Sequence, residues 1–185
     1  MLDDAIELAK DTMDSAIERV KRELSRIRAG RANPAVLDDV RVESYGTQVQ
    51  LNQVSTVSVA DARLLVVKPF DRNLIGAIEK AINNAGLGLN ANNDGVVIRV
   101  PIPPLTEERR KGLAKQVKDH GEEARIAIRQ GRREANDLLK QAEKDKEISE
   151  DDLKRGLDNV QELTDKYVKS VDELVEKKES EIMEN

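Results

Sequence analysis

From Ile6 to Ile27 the apolar residues Ile6, Ala9, Met13, Ala16, Ile17, Val20, Leu24 and Ile27 recur at spacings of three and four. That period predicts a helix with one buried stripe. Gly30 suits a left-handed cap and Pro34 cannot continue a helix, so the pattern stops there. The period then changes. Val40 and Val42, then Val49 and Leu51, alternate around Tyr45-Gly46 as the strands of a hairpin do. Val54, Val57 and Val59, followed by Leu64 to Val67, are β-branched and aliphatic runs that suit strands. Asp71 is placed to cap a short helix carrying Leu74, Ile75, Ile78, Ala81, Ile82 and Ala85, with Gly86 ending it. Asn92-Asn93-Asp94-Gly95 reads as a turn and Val96 to Val100 as the strand after it.

Helical spacing returns after Pro101, Pro103 and Pro104. Thr106, followed by Glu107 and Glu108, opens a second long helix with acids in its positive first turn. Its stripe is expected to run through Leu113, Val117, His120, Ala124, Ile128, Gly131, Ala135, Leu138 and Ala142. A break falls near Asp145 to Glu147. Ser149 and Asp152 then form a capping box with Asp in the Glu position, and Ile148 and Leu153 a hydrophobic staple around it. A third helix places Leu153, Leu157, Val160, Thr164, Tyr167, Val171, Leu174 and Ile182 on one face. None of the three stripes can be buried alone. The expected fold is α+β: an elongated antiparallel three-helix bundle (1-30 and 105-185) with a small β/α/β domain (31-104) inserted between its first two helices. The chain crosses twice, at Arg31, Ala32, Asn33 and Pro34 and at Pro103, Pro104 and Leu105, which makes a two-stranded hinge.

Composition narrows the chemistry. The 185 residues include one His, no Cys, no Trp and three aromatics, Tyr45, Phe70 and Tyr167. The usual catalytic triads and transition-metal sites therefore lack parts, and no disulfide framework exists. The expectation is a protein that is not an enzyme and needs no cofactor and no metal. No apolar run approaches the ~20 residues of a membrane span, and the start of the chain is acidic where a signal peptide is basic. A cytoplasmic protein with no membrane partner follows. His120 has no second ligand or nucleophile in view, so packing in the helix is its ordinary reading. Gly86-Leu87-Gly88 follows a helix where a dinucleotide loop follows a strand, and Asn92 to Gly95 lacks the acids of a calcium loop.

The net charge of -5 argues at first against a nucleic-acid partner. Along the chain the charge is uneven: residues 19-31 carry net +5, residues 109-133 net +6 and residues 141-185 net -7. Eleven of the sixteen arginines lie in the two basic stretches. Arg125, Arg129, Arg132 and Arg133 fall at i, i+4, i+7 and i+8, on one helical face, and Arg19, Arg22 and Arg26 do the same on the first helix. The planar guanidinium fork matches two phosphate oxygens, so this clustering points to RNA. The bland alternative pairs these arginines with acids of the third helix. With so few aromatics, the expected readout is of backbone and shape.

Six segments stand out along the chain: Arg28-Ala29-Gly30-Arg31-Ala32-Asn33-Pro34, Lys68-Pro69-Phe70-Asp71, Leu87-Gly88-Leu89-Asn90 with Asn93-Asp94-Gly95, Pro103 to Arg110, Arg129-Gln130-Gly131-Arg132-Arg133 and Lys146 to Asp152. Together they resemble the signature segments of the ribosome recycling factor family. The resemblance runs from end to end. It implies an L-shaped pair of domains on a flexible hinge and a function in protein biosynthesis. The protein would bind the post-termination ribosome in the intersubunit space, the bundle lying along large-subunit ribosomal RNA. With elongation factor G and GTP it would promote subunit dissociation and release from mRNA, hydrolysing nothing itself. It would act as a monomer with no DNA partner. Matched residue by residue, Arg28, Gly30, Arg31, Arg129, Arg132 and Arg133 would contact RNA, while Arg109 and Arg110 stay open between the RNA face and the hinge angle. A helical coiled-coil adaptor or chaperone acting by protein contacts is the competing reading. Two positions depart from the family: Gly131 replaces a branched apolar residue, with an expected loss of roughly 1 kcal/mol of helix propensity and some core contact, and Ser44 replaces a Tyr, thinning the aromatic surface of the small domain.

Overall fold

The computed structural model describes residues 2–184. In chain order the elements are α1 (Leu2–Arg26), β1 (Arg41–Ser44), β2 (Thr47–Gln50), α2 (Leu51–Val54), β3 (Ser55–Asp61), β4 (Leu64–Pro69), α3 (Ile75–Asn84), β5 (Asn92–Asn93), β6 (Ile98–Pro101), α4 (Glu107–Lys144) and α5 (Glu150–Met183). Two compact units result: the chain up to Ala29 with Glu107–Glu184, and Gly30–Thr106.

The first unit is a three-helix bundle. Contacts from α4 to α5 run in opposite order, Lys118 to Glu179, Arg125 to Asp172 and Arg132 to Gln161, so the two helices are antiparallel. Helix α1 is antiparallel to α4 as well: Gly131 lies against Thr12, and Ala16 and Val20 line a small cavity with His120 and Ala124. Met13, Ile128, Val160, Val171 and Ile182 are fully buried in the seams.

The stripes differ from expectation at particular positions. On α4, Gly121 rather than His120 and Leu139 rather than Leu138 are buried. On α5, Gly156 and Val175 enter the core, while Leu153, Leu157, Tyr167 and Leu174 are half-buried at its edge. The cause is close approach. A Cβ on Gly121 would stand 2.6 Å from Val175, and one on Gly156 would stand 3.0 Å from Leu139, so these glycines are the holes into which branched side chains of the facing helix fit. Gly131 is likewise buried under Thr12, whose methyl would lie 3.0 Å from an added Cβ, so the expected loss of core contact is filled from α1. Between α4 and α5, Lys146 turns through a left-handed conformation at φ +58. Ser149 and Asp152 then close the capping box: Ser149 Oγ accepts from the Asp152 amide at 3.0 Å, and the Asp152 carboxylate accepts from the Ser149 amide.

The second unit contains the β1-β2 hairpin and an antiparallel sheet of order β3-β4-β6-β5. Its core joins Val42, Leu65, Val67, Ile78, Ile82 and Ile98. Tyr45 (φ +49) and Gly46 (φ +83) make the two-residue hairpin turn, in which both central residues need positive φ. Leu51 and Val54, expected in strands, belong to α2 instead, because Gln50 and Gln53 cap that turn reciprocally. Asp71 accepts from the Asn73 amide at 2.9 Å and caps a 3-10 turn, Arg72–Leu74, that leads into α3. Asn92 and Asn93, expected in a turn, pair with Arg99 and Ile98 as the short edge strand β5. The following strand starts only at Ile98, because the Val96 and Val97 amides both donate to Asp94 at 2.9 Å rather than to a ladder. Those two bonds and Arg99 hold the Asp94 carboxyl well below the usual carboxylate range.

Candidate nucleic-acid interface

The arginines of mid-α4 divide by partner. Arg125 is committed to the bundle, with Nη2 2.7 Å from Asp172 of α5 and Nη1 3.3 Å from Glu122. Arg132, half-buried, donates to the side-chain oxygen of Gln161 on α5 at 3.4 Å, a neutral acceptor that leaves its charge uncompensated. Arg129 meets Glu122 at 3.3 Å on the half-exposed flank of α4. Arg133 is exposed and makes no ion pair among the described residues. The pairing of arginines with third-helix acids therefore holds for Arg125 and not for Arg129, Arg132 or Arg133.

A second basic group forms where α1 ends beside the start of α4. Because the helices are antiparallel, Arg26 and Arg28 come next to Arg109, and these three line an open cleft of about 400 Å³ within the bundle unit. Ile27 and Leu113 form its apolar wall, and Glu23, Gln116 and His120 complete it. Glu23 is held by Arg26 at 3.3 Å. Arg28 is exposed and has no ion pair among the described residues. Arg110, next along α4, is half-buried with its Nε enclosed and without a hydrogen bond. The sequence marks Arg26 as part of the basic face of the first helix and His120 as a packed residue, and does not mark Gln116; what joins them is the α1-α4 register, which sets residues near 27 beside residues near 113. The two basic groups lie about 35 Å apart along α4, at about 1.5 Å per residue.

At the crossings, Gly30 (φ +79) is buried against Leu105, whose Cγ would stand 2.9 Å from an added Cβ. Both belong to the smaller unit. The Ala32 amide donates to the Ala62 carbonyl at 2.7 Å and the Ile102 amide to the Arg63 carbonyl at 2.8 Å, so both crossings are pinned to the β3-β4 turn. Asn33 caps the turn that begins at Pro34 by accepting from the Ala35 amide at 3.0 Å. Arg31, Pro103 and Pro104 are exposed beside these anchors.

His120 is half-buried at the edge of the α1-α4 seam, its Nδ1 3.8 Å from Glu123 and without a hydrogen bond. Among the described residues no group of three or more acids or histidines is arranged to hold a metal ion, and no helix is long and apolar enough to cross a membrane.

The described residues thus form a long three-helix bundle with two separated arginine groups and a small sheet unit inserted in the chain between its first and second helices, an α+β architecture. Comparison with known proteins gives the family. The family model described as ribosome recycling factor matches residues 20–183. The ribosome-recycling factor of Symbiobacterium thermophilum is 55% identical over 184 residues, covering all of both chains, and that of Bacillus subtilis 53% identical over 175 residues, 95% of each. Among solved structures, a solution structure of the ribosome recycling factor is 42% identical with a TM-score of 0.71, covering 100% of this chain and 98% of that one. A second describes the T. thermophilus ribosome recycling factor and the E. coli elongation factor G bound to the E. coli post-termination complex; it is 46% identical, covers 98% of each chain and has a TM-score of 0.61. The chain belongs to the ribosome recycling factor family, a family of translation factors.

Proposed function

We propose that the protein binds the post-termination ribosome in the intersubunit space through large-subunit ribosomal RNA and, with elongation factor G and GTP, promotes subunit dissociation and release from mRNA. It acts as a cytoplasmic monomer, not as an enzyme, and the GTP is hydrolysed by its partner. Arg28, Gly30, Arg31, Arg129, Arg132 and Arg133 supply the RNA contacts, with Arg109 serving the same face. Arg31 to Pro34 and Pro103 to Leu105 act as the hinge between a bundle domain and a small domain.

The observation that supports this reading is that, among the described residues, Arg28 and Arg133 have no acidic partner, while Arg132 meets only a neutral amide. Arginines left uncompensated on a chain of net charge -5 are suited to an external anion. The relative whose structure carries elongation factor G on a post-termination complex supports the choice of partners. Binding to isolated large subunits, titrated with salt, tests it. Phosphate contacts predict a steep loss of affinity with rising salt. A coiled-coil adaptor would show little affinity even at low salt.

A further inference from the structure

We infer that Asp94-Gly95 is a latent isoaspartate site, which the folded small unit keeps closed by holding the attacking nitrogen and the target carboxylate on separate hydrogen-bond partners. It is the only position in the chain where an Asp or Asn precedes a Gly. Glycine has no side chain to shield its amide nitrogen, so that nitrogen can approach the preceding carboxyl carbon. In the reaction Gly95 N bonds to Asp94 Cγ as the Cγ–OH bond breaks, the amide proton and the hydroxyl leaving as water. The cyclic imide then takes up water at either carbonyl. Opening at the former main-chain carbonyl routes the backbone through Cγ and leaves an isoaspartyl residue, the methyl acceptor of an isoaspartyl-specific methyltransferase.

Both reacting groups are exposed, yet both are engaged. The Gly95 amide donates to Asn93 Oδ1 at 3.1 Å. Asp94 Oδ1 accepts from the Val96 and Val97 amides at 2.9 Å each, and Oδ2 accepts from Arg99 Nη1 at 2.5 Å. Ring closure would require the nitrogen to leave Asn93 and the carboxylate to drop all of its donors. Those donors also keep the carboxyl ionised, and an ionised carboxylate has no hydroxyl to lose. Isomerisation would matter to the fold, because it inserts a carbon into the backbone between Asn93 and Ile98, which pair as β5 and β6. Ile98 is fully buried in the core of this unit, so a shifted register would loosen that core. None of this depends on the ribosomal reading above.

The test ages the full-length protein at neutral pH, folded and in guanidinium chloride. Isoaspartate is counted by methyl transfer from S-adenosylmethionine with an isoaspartyl methyltransferase, and peptide mapping places the label. The folded chain is expected to stay almost unlabelled at Asp94, while the denatured chain, its carboxyl back at the ordinary pKa, gains label at least about tenfold faster. Arg99→Ala, an exposed position shown to be folded by circular dichroism, is expected to gain label faster than the parent. Arg63→Ala, in the β3-β4 turn, should age like the parent. Equal labelling of the folded and denatured parent overturns the proposal, as does a folded Arg99→Ala that ages no faster than Arg63→Ala. If Arg99→Ala does not fold, the comparison of folded with denatured parent decides alone.

Discussion

Arg125 reaches across the α4-α5 seam to Asp172, with 2.7 Å between Nη2 and Oδ1. Arg133, two turns further along α4, has no such partner among the described residues. Two arginines of one cluster thus hold different jobs, one structural and one open to a ligand.

Substitution separates them. Arg125→Ala should lower stability by about 0.5 to 1 kcal/mol, as expected for a partly exposed ion pair. Arg133→Ala should leave the melting temperature unchanged and instead weaken large-subunit binding and reduce its salt slope by roughly one. Thermal melts and salt titrations on both variants check the contrast.

The glycines of the bundle make an opposite pair of predictions. Gly121→Ala drives a methyl toward Val175 at 2.6 Å in the buried seam. The overpacking outweighs the gain in helix propensity, for a net loss of roughly 1 to 2 kcal/mol. Val175→Ala in the same chain should remove the clash. Gly131→Ala meets the half-exposed Thr12 at 3.0 Å, which can turn aside, so stability should hold or rise by up to about 1 kcal/mol. Denaturant unfolding of the three variants measures this.

Much of this fold is legible in sequence because long stripes of period 3.6 and β-branched runs report burial directly. Among the positions that fail are two where a glycine is the buried residue, beside the shift of one residue from Leu138 to Leu139. Gly121 and Gly156 contribute no hydrophobic signal, so His120 and Leu157 look like the stripe until the facing helix supplies Val175 and Leu139. Leu51 and Asn92 misread for a different reason: local side-chain bonds at Gln50 and Asp94 decide where the strands start and stop. The basic clusters are visible as counts of arginine. Which arginines remain open is not, because the Arg125-Asp172 pair depends on the register of two helices joined only at their far end.

Gly30 carries two separable constraints, its φ of +79 and the approach of Leu105. Gly30→Ala should cost about 1 to 2 kcal/mol from the left-handed backbone alone, plus the clash. Adding Leu105→Ala relieves the clash and leaves the backbone cost, so the double variant should recover only part of the loss in a melting experiment.

Tyr167 of α5 donates a hydrogen bond to Asp14 of α1. Burial, then that bond, pushes its pKa up to about 12 from the ordinary value near 10. The folded state therefore keeps a proton that the unfolded chain has lost between those two values. The stability contribution is complete below pH 10 and declines as pH rises toward 12. Chemical denaturation across that range should show the decline in the parent chain and a flatter profile in Tyr167→Phe.

The central claim is that the protein recycles ribosomes, and splitting of post-termination complexes tests it most directly. Light scattering or sedimentation of those complexes, with the protein, elongation factor G and GTP together, should show conversion to free subunits. Omitting the protein, the elongation factor or GTP should abolish it, and Arg132→Ala should slow it. Intact ribosomes persisting with all components present would contradict the account.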